Sequence, residues 1–173
     1  MDKVQAAKIL LQRNFYSKKL MSSSTRKLYE SYNLSIEEEN SILEEIYETL
    51  KSKCLFIDDC IPFFNLIVFI KEYKFYSKIK EVLDLIDSNT KNRSTFGLLN
   101  LYESVFQLWY LNEEKDELNI VSDYLIDKLQ ELSYMLSSDS EEVIEDKWNE
   151  LDIKNQEEFV FNRCNQLLNI LKN

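Results

Sequence analysis

The sequence predicts an all-α protein, a single-domain helical bundle of six to eight helices over residues 1–173. Sheet proteins need many tight turns, yet Gly97 and Pro62 are the single Gly and Pro of the chain. Apolar residues instead recur at the three- and four-residue spacings of helices, and 173 residues can bury a substantial core. Because Asn tolerates the left-handed conformation, we expect helix ends at Asn33, Asn89 and Asn112.

The first helix is predicted over residues 2–13, with one apolar stripe that includes Val4 and Leu11. Phe15, Tyr16, Leu20 and Met21 either extend this helix or begin a short second piece. Residues 22–25 supply hydroxyl caps for a helix that runs to Tyr32. The basic, acid-poor composition of residues 1–33 leaves open a basic helical extension of the domain or a mitochondrial transit peptide.

A capping box opens the next helix, predicted over residues 35–51. In Ser35-Ile36-Glu37-Glu38, the Ser35 hydroxyl is placed to accept from the third helical amide, and the Glu38 carboxylate to accept from the Ser35 amide. The acidic first turn also suits the helix dipole. The apolar spacing that follows predicts an amphipathic surface helix.

One stretch of the sequence resembles a known family. It consists of residues 26–35, RKLYESYNLS, followed by Glu37-Glu38-Glu39 and Leu43. This stretch resembles the helix-turn-helix of small LigA-type domains, although that family usually has Gly where Asn33 stands. Such domains occur as small subunits of ring-opening dioxygenases and as recognition domains in systems that modify ribosomal peptides. The resemblance implies a partner-binding surface and no catalytic residue.

An apolar helix over residues 61–72 is expected at the centre of the bundle. Nine of its first ten residues are apolar, which predicts burial on most sides, and this run is too short to span a bilayer of about 20 residues. Asp58 or Asp59 is the expected cap, and Pro62 falls in the first turn, where its missing amide costs little. Residues 73–77 either continue the helix or separate it from a second one that ends near Asp87.

The second half of the chain begins after a polar loop at residues 88–93, where Ser94 or Thr95 caps a helix over 96–111 that packs against 61–72. Further helices are predicted over 116–137, after a turn at 112–116, and from about Lys154 to Leu171, docked at its end. Between them, residues 137–140 cap a short helix that contains Val143, Ile144, Trp148 and Leu151.

The composition excludes most catalytic chemistry. The chain has no histidine, so His-based triads and metal sites are absent. The three cysteines lack the spacing of a zinc site and are an odd number. We therefore expect buried thiols, a reducing cytoplasmic setting, no cofactor and no metal. Acid pairs such as Glu37 with Glu38 and Glu141 with Glu142 keep open a helical enzyme that uses carboxylates only.

Charge is unevenly distributed along a chain of net charge −10. Residues 1–33 carry a net charge of +5, from seven basic and two acidic residues, whereas residues 34–59 carry −6, from eight acidic and two basic residues. An acidic body repels phosphates, so direct binding in a nucleic-acid groove is not expected. The concentrated acidic segment favours a basic protein partner.

The main hypothesis is a non-catalytic protein-binding module, an inhibitor, immunity or accessory protein, rather than an enzyme. Tyr is common in contact surfaces, although the tyrosines here are also explained by packing between helices. The resemblance adds a second hypothesis, a recognition or accessory component of a peptide-modifying system. The predicted partner-binding residues combine tyrosines with neighbouring acids: Tyr29, Tyr32, Glu37, Glu44, Tyr47 and Glu48.

Overall fold

The computed structural model describes residues 1–54, 61–89, 94–110, 118–137 and 147–173, with side chains omitted at 137 and 147–153. This part of the chain contains α-helices and no strand, so the predicted all-α helical bundle is confirmed. Short 3₁₀ turns lie at Lys18–Leu20 and Tyr76–Lys78. The eight described α-helices are α1 Lys3–Arg13, α2 Ser23–Ser31, α3 Ile36–Cys54, α4 Ile61–Tyr73, α5 Ile79–Ser88, α6 Thr95–Tyr110, α7 Asn119–Ser137 and α8 Lys147–Lys172.

Local sequence signals account for several helix ends. The predicted capping box is confirmed: the Glu38 amide donates to Ser35 Oγ at 3.1 Å, and the Ser35 amide donates to Glu38 Oε2 at 2.8 Å. Ser94 Oγ accepts from the Gly97 amide at 3.1 Å at the start of α6. Asn33 has the expected left-handed conformation, with φ of 45°. Asn89 follows α5 as expected, but its φ of −117° is not left-handed.

The core is one continuous cluster of buried apolar side chains to which all eight described helices contribute. α1 packs on α2 and α3, α4 on α3 and α6, and α8 on α6 and α7. The predicted packing of α4 against α6 is therefore confirmed. Leu171 is buried near the end of α8, so the predicted docking of the last helix is confirmed as well.

Helix α4 is only partly covered. Phe63, Leu66, Ile67, Phe69 and Ile70 are buried, but Ile61 is exposed, Phe64 is 49% exposed and Val68 is 44% exposed. The prediction that α4 is buried on most sides is wrong, because α3 and α6 pack against only part of its circumference. No described helix, α4 included, combines the length and apolar character needed to cross a membrane.

Two helix boundaries resolve or correct the predictions. α4 ends at Tyr73, Lys74 has a φ of 52°, and α5 begins at Ile79, so this region forms two helices. The predicted break before Lys154 is wrong, because α8 is continuous from Lys147 and contains no Gly or Pro to interrupt it.

Some predicted features lie outside the described residues: the cap at Asp58 or Asp59, Asn112 and the 112–116 turn, the 138–140 caps, Val143 and Ile144.

Candidate functional site

Two of the predicted site tyrosines are core residues. Tyr29 is 6% exposed and Tyr47 is 0% exposed. The Tyr29 hydroxyl donates to Glu39 Oε1 at 3.2 Å, and the Tyr47 hydroxyl donates to Glu81 Oε2 at 2.8 Å. Burial, and then the neighbouring carboxylate, raises the pKa of each hydroxyl. Tyr29 and Tyr47 therefore join helices inside the protein, the packing role that the sequence also allows for its tyrosines, and they present little surface to a partner.

The other predicted site residues lie at or near the protein surface. Tyr32 is half-buried after α2, and Glu37 is exposed in the first turn of α3. Glu44 forms an ion pair with Lys78 at 3.1 Å, and Glu48 forms one with Lys51 at 3.6 Å. The structure therefore places Glu44 and Glu48 on either side of the buried Tyr47, already paired with lysines of the same chain.

Lysines near the N-terminus pair with other carboxylates of α3. Lys3 pairs with Glu38 at 2.7 Å, and Lys8 pairs with Glu45. Lys18, in the first 3₁₀ turn, pairs with Glu39. Each of these surface pairs contributes little by itself, but together they bring much of the basic N-terminal segment against the acidic helix. The acidic face is thus largely neutralised by the chain itself.

An open apolar groove of about 850 Å³ lies between the end of α1, the first 3₁₀ turn and α4. Leu50 of α3 and Phe69 of α4 are buried at its base. Side chains with exposed apolar surface also line it: Phe15, Leu20, Phe64 and Val68. We define these six residues as the α1–α4 groove. A soluble monomer rarely exposes a large contiguous apolar patch unless the patch binds something.

The turn that carries Phe15 is strained. Phe15 has a φ of 54° and Tyr16 a φ of 60°, a conformation that costs a residue with a Cβ atom roughly 1–2 kcal/mol. The Tyr16 amide donates to the Leu11 carbonyl at 2.7 Å. From α4, the Tyr73 hydroxyl donates to the Tyr16 carbonyl at 2.7 Å. These bonds hold the turn in place, and Phe15 remains 82% exposed.

Lysines dominate the charged residues that line the groove. Lys19, Lys53 and Lys71 lie along it, together with one carboxylate, Glu72. Glu72 Oε1 already accepts from Ser17 Oγ at 2.8 Å and from the Lys19 amide at 3.3 Å. The ammonium group of Lys53 lies 5.7 Å from the centre of the Tyr16 ring. The groove therefore has a basic rim on a chain whose net charge is −10.

No signal within the sequence distinguishes these groove residues from core residues. Phe64 and Val68 belong to an apolar run whose periodicity does not identify the face that lacks a neighbouring helix. Phe15 and Leu20 lie about 50 positions earlier in the chain. Their proximity to α4 depends on the turn after α1, which a local pattern does not predict.

The described residues offer little catalytic chemistry. They contain no group of three or more acidic or thiol side chains placed to hold a metal ion. Cys54 and Cys164 are buried thiols, as expected, whereas Cys60 lies outside the described residues. Burial, and then the charge of Glu103, raises the pKa of Cys164 to about 11. A thiol in this state is a poor nucleophile at neutral pH.

Comparison of the chain with models of protein families, curated proteins and solved structures found no match. Helices α2 and α3 follow one another along the chain, with Asn33 in the connection between them. The resemblance of residues 26–43 to LigA-type domains stays a prediction, since this geometry is common among helical proteins. The fold defines the chain as an all-α helical bundle.

Proposed function

We propose that this chain is a non-catalytic protein-binding module and that its partner docks in the α1–α4 groove. The observation that supports the proposal is the set of exposed apolar side chains around one cavity of about 850 Å³. Binding energy in protein interfaces is concentrated in apolar and aromatic anchors that are desolvated on docking. Phe15 and Phe64 are aromatic side chains with enough exposed surface to act in this way.

Within this class, the proposed roles are those of an inhibitor, an immunity protein or an accessory protein. The proposed setting is cytoplasmic, which is compatible with the thiols of Cys54 and Cys164.

An enzyme that uses carboxylates only is less favoured. The hydrogen bond from Lys3 lowers the pKa of Glu38, and that from Lys51 lowers the pKa of Glu81. A general acid or base at neutral pH needs a shift in the opposite direction.

A basic partner on the acidic face of α3 is a second candidate. Glu44 and Glu48 retain about half of their side-chain exposure, at 49% and 60%. A basic partner would nevertheless compete with Lys78 and Lys51 for these carboxylates. The groove requires no such exchange, so it is the favoured surface.

A role in a peptide-modifying system is a third candidate, supported only by the resemblance of residues 26–43.

A photocrosslinking comparison tests the groove as the binding site. p-Benzoylphenylalanine replaces Phe64 in one variant and Phe159 of α8 in a matched control, because the two side chains have similar exposures of 49% and 56%. In extracts of the native host, we expect one discrete adduct at position 64 and none at position 159. Val68→Glu should abolish the adduct.

The protein in the adduct is then identified by mass spectrometry, purified and titrated with the intact chain. Phe64→Ser and Val68→Glu should each weaken its binding at least about tenfold, since a binding hot spot is worth more than about 1.4 kcal/mol. Phe159→Ser should leave binding unchanged. Equal affinity of the Val68→Glu variant and the original chain would rule out the groove.

A further inference from the structure

We infer that the partner segment held by the α1–α4 groove is an amphipathic helix with acidic residues beside its apolar face. The inference rests on the proposed function and adds the conformation and charge of the ligand. Its evidence is the spacing of the apolar residues, the absence of a strand to pair with, and the basic rim of the groove.

The exposed apolar residues of α4 follow one side of that helix. Ile61, Phe64 and Val68 are separated by three and four positions, so they form a ridge about two turns long. Of these three residues, Phe64 and Val68 line the groove, together with Phe15 from the turn after α1 and Leu20 from the first 3₁₀ turn. A docked helix presents apolar side chains with the same spacing, which allows contact with both walls along its length.

Backbone hydrogen bonding favours a helix over an extended peptide. An extended segment usually binds by adding a strand to the open edge of a sheet. The described part of this chain contains no strand and so offers no such edge. Side chains such as Gln12 and Asn65 could pair with only some of the backbone groups of an extended peptide, and each group left without water or a partner costs free energy. A helix satisfies these groups internally.

The rim determines the charge of the ligand. Lys19, Lys53 and Lys71 outnumber Glu72, and Glu72 is already bonded to Ser17 and the Lys19 amide. Acidic side chains that flank the apolar face of a docked helix would meet these ammonium groups. Such complementarity mainly provides orientation and selectivity against basic segments, while the apolar contacts provide affinity.

A selection experiment tests conformation and charge together. Random peptides of about 16 residues, roughly four helical turns, are displayed and selected on the intact chain, with counter-selection on Val68→Glu. We expect the peptides that depend on Val68 to carry net negative charge and apolar residues spaced by three or four. Their circular dichroism should become more helical when the chain is added.

A charge-reversal variant tests the basic rim, and a second charge-reversal variant outside the groove is its matched control. Lys19→Glu, Lys53→Glu and Lys71→Glu together should weaken binding of a selected peptide about tenfold. Lys27→Glu, Lys80→Glu and Lys172→Glu change net charge equally at exposed positions outside the groove. This second triple variant should change binding less than about twofold.

The outcomes separate the inference from the proposed function. Val68-dependent peptides that are neutral or basic, or whose apolar residues alternate, overturn the inference and leave the binding function intact. An absence of Val68-dependent peptides contradicts the proposed function itself. A dimer in light scattering that Val68→Glu dissociates, or an apolar small molecule in native mass spectra that this variant loses, overturns the inference by showing a different occupant.

Discussion

The Tyr47 side chain links α3 to α5 through a single hydroxyl group. It donates to Glu81 Oε2 at 2.8 Å, and Glu81 also pairs with Lys51. The ammonium groups of Lys51 and Lys78 lie 5.8 and 5.1 Å from the centre of the Tyr47 ring. Because Tyr47 is fully buried, its hydroxyl depends on Glu81 as acceptor.

Glu81→Ala should therefore lower the free energy of unfolding by about 1 kcal/mol, the net value of a typical hydrogen bond, because the Glu81 side chain is 44% exposed and its removal lets water reach the Tyr47 hydroxyl. Tyr47→Phe removes the donor of the same hydrogen bond and should cost a similar amount. The double variant should be less destabilised than the sum of the two single variants. Urea denaturation measures all three, and strictly additive losses would contradict the coupling between these side chains.

The effect of Glu81→Ala on the free energy of unfolding should depend on pH. The hydrogen bond from Lys51, followed by that from Tyr47, lowers the pKa of Glu81 in the folded protein. The associated stabilisation is fully present above the unfolded value of about 4.3 and is lost as pH falls through the lower folded value. Denaturation at decreasing pH should thus show the electrostatic part of the Glu81→Ala effect diminishing below about pH 4. This part is small, because the Glu81 side chain is 44% exposed and solvent screens its charge.

In the turn after α1, Phe15 has a strained backbone conformation and also lines the proposed binding groove. Replacing Phe15 by Gly removes the cost of the left-handed conformation but raises the entropy of the unfolded chain. Phe15→Ala retains the conformational cost. Since Phe15 is exposed, we expect the Gly variant to be about 0.5–1 kcal/mol more stable than the Ala variant.

Both variants should bind a selected groove peptide equally weakly, because both lack the aromatic ring. Urea denaturation and fluorescence anisotropy provide the two measurements. If the Gly variant binds like the original chain, Phe15 is not a contact residue. If the Ala variant is the more stable of the two, the φ of 54° at Phe15 carries no strain.

Prediction of the elements succeeded where the determining residues are neighbours in sequence. The caps at Ser35 and Ser94 involve residues only three positions away. The face of α4 that remains exposed depends on where α3 and α6 pack, which helical periodicity does not contain. The continuity of α8 was missed because polar residues around Lys154 are typical of loops and equally of exposed helix faces.

At the scale of the whole molecule, folding brings the basic N-terminal segment against the acidic α3. Lys3, Lys8 and Lys18 are paired with carboxylates of that helix, whereas Lys19 lies at the groove. The predicted binding residues stay a prediction, but their surroundings in the fold differ from what their proximity in sequence suggests. Sequence proximity grouped acids with tyrosines, but tertiary packing buried the tyrosines and paired most of the acids.

A triple variant distinguishes the acidic face from the groove by the sign of its effect. Glu37→Gln, Glu44→Gln and Glu48→Gln together remove three negative charges. A basic partner should then associate more slowly, by a few-fold or more at low salt. The acidic helix proposed for the groove should associate faster, because long-range repulsion is reduced. Stopped-flow rates at several salt concentrations measure the change, and an unchanged rate would mean that neither effect operates.

The buried thiols of Cys54 and Cys164 can be used to measure how often the surrounding structure opens. Cys54 ends α3 directly after Lys53 of the groove's basic rim, whereas Cys164 lies in α8. A thiol reagent reaches a buried sulfur only while the surrounding structure is transiently open. With Cys60 replaced by serine, the two labelling rates would therefore report separately on the end of α3 and on α8. Faster labelling of Cys54 would show that the region beside the groove opens more readily than the region around Cys164, and a bound ligand would then slow that reaction selectively.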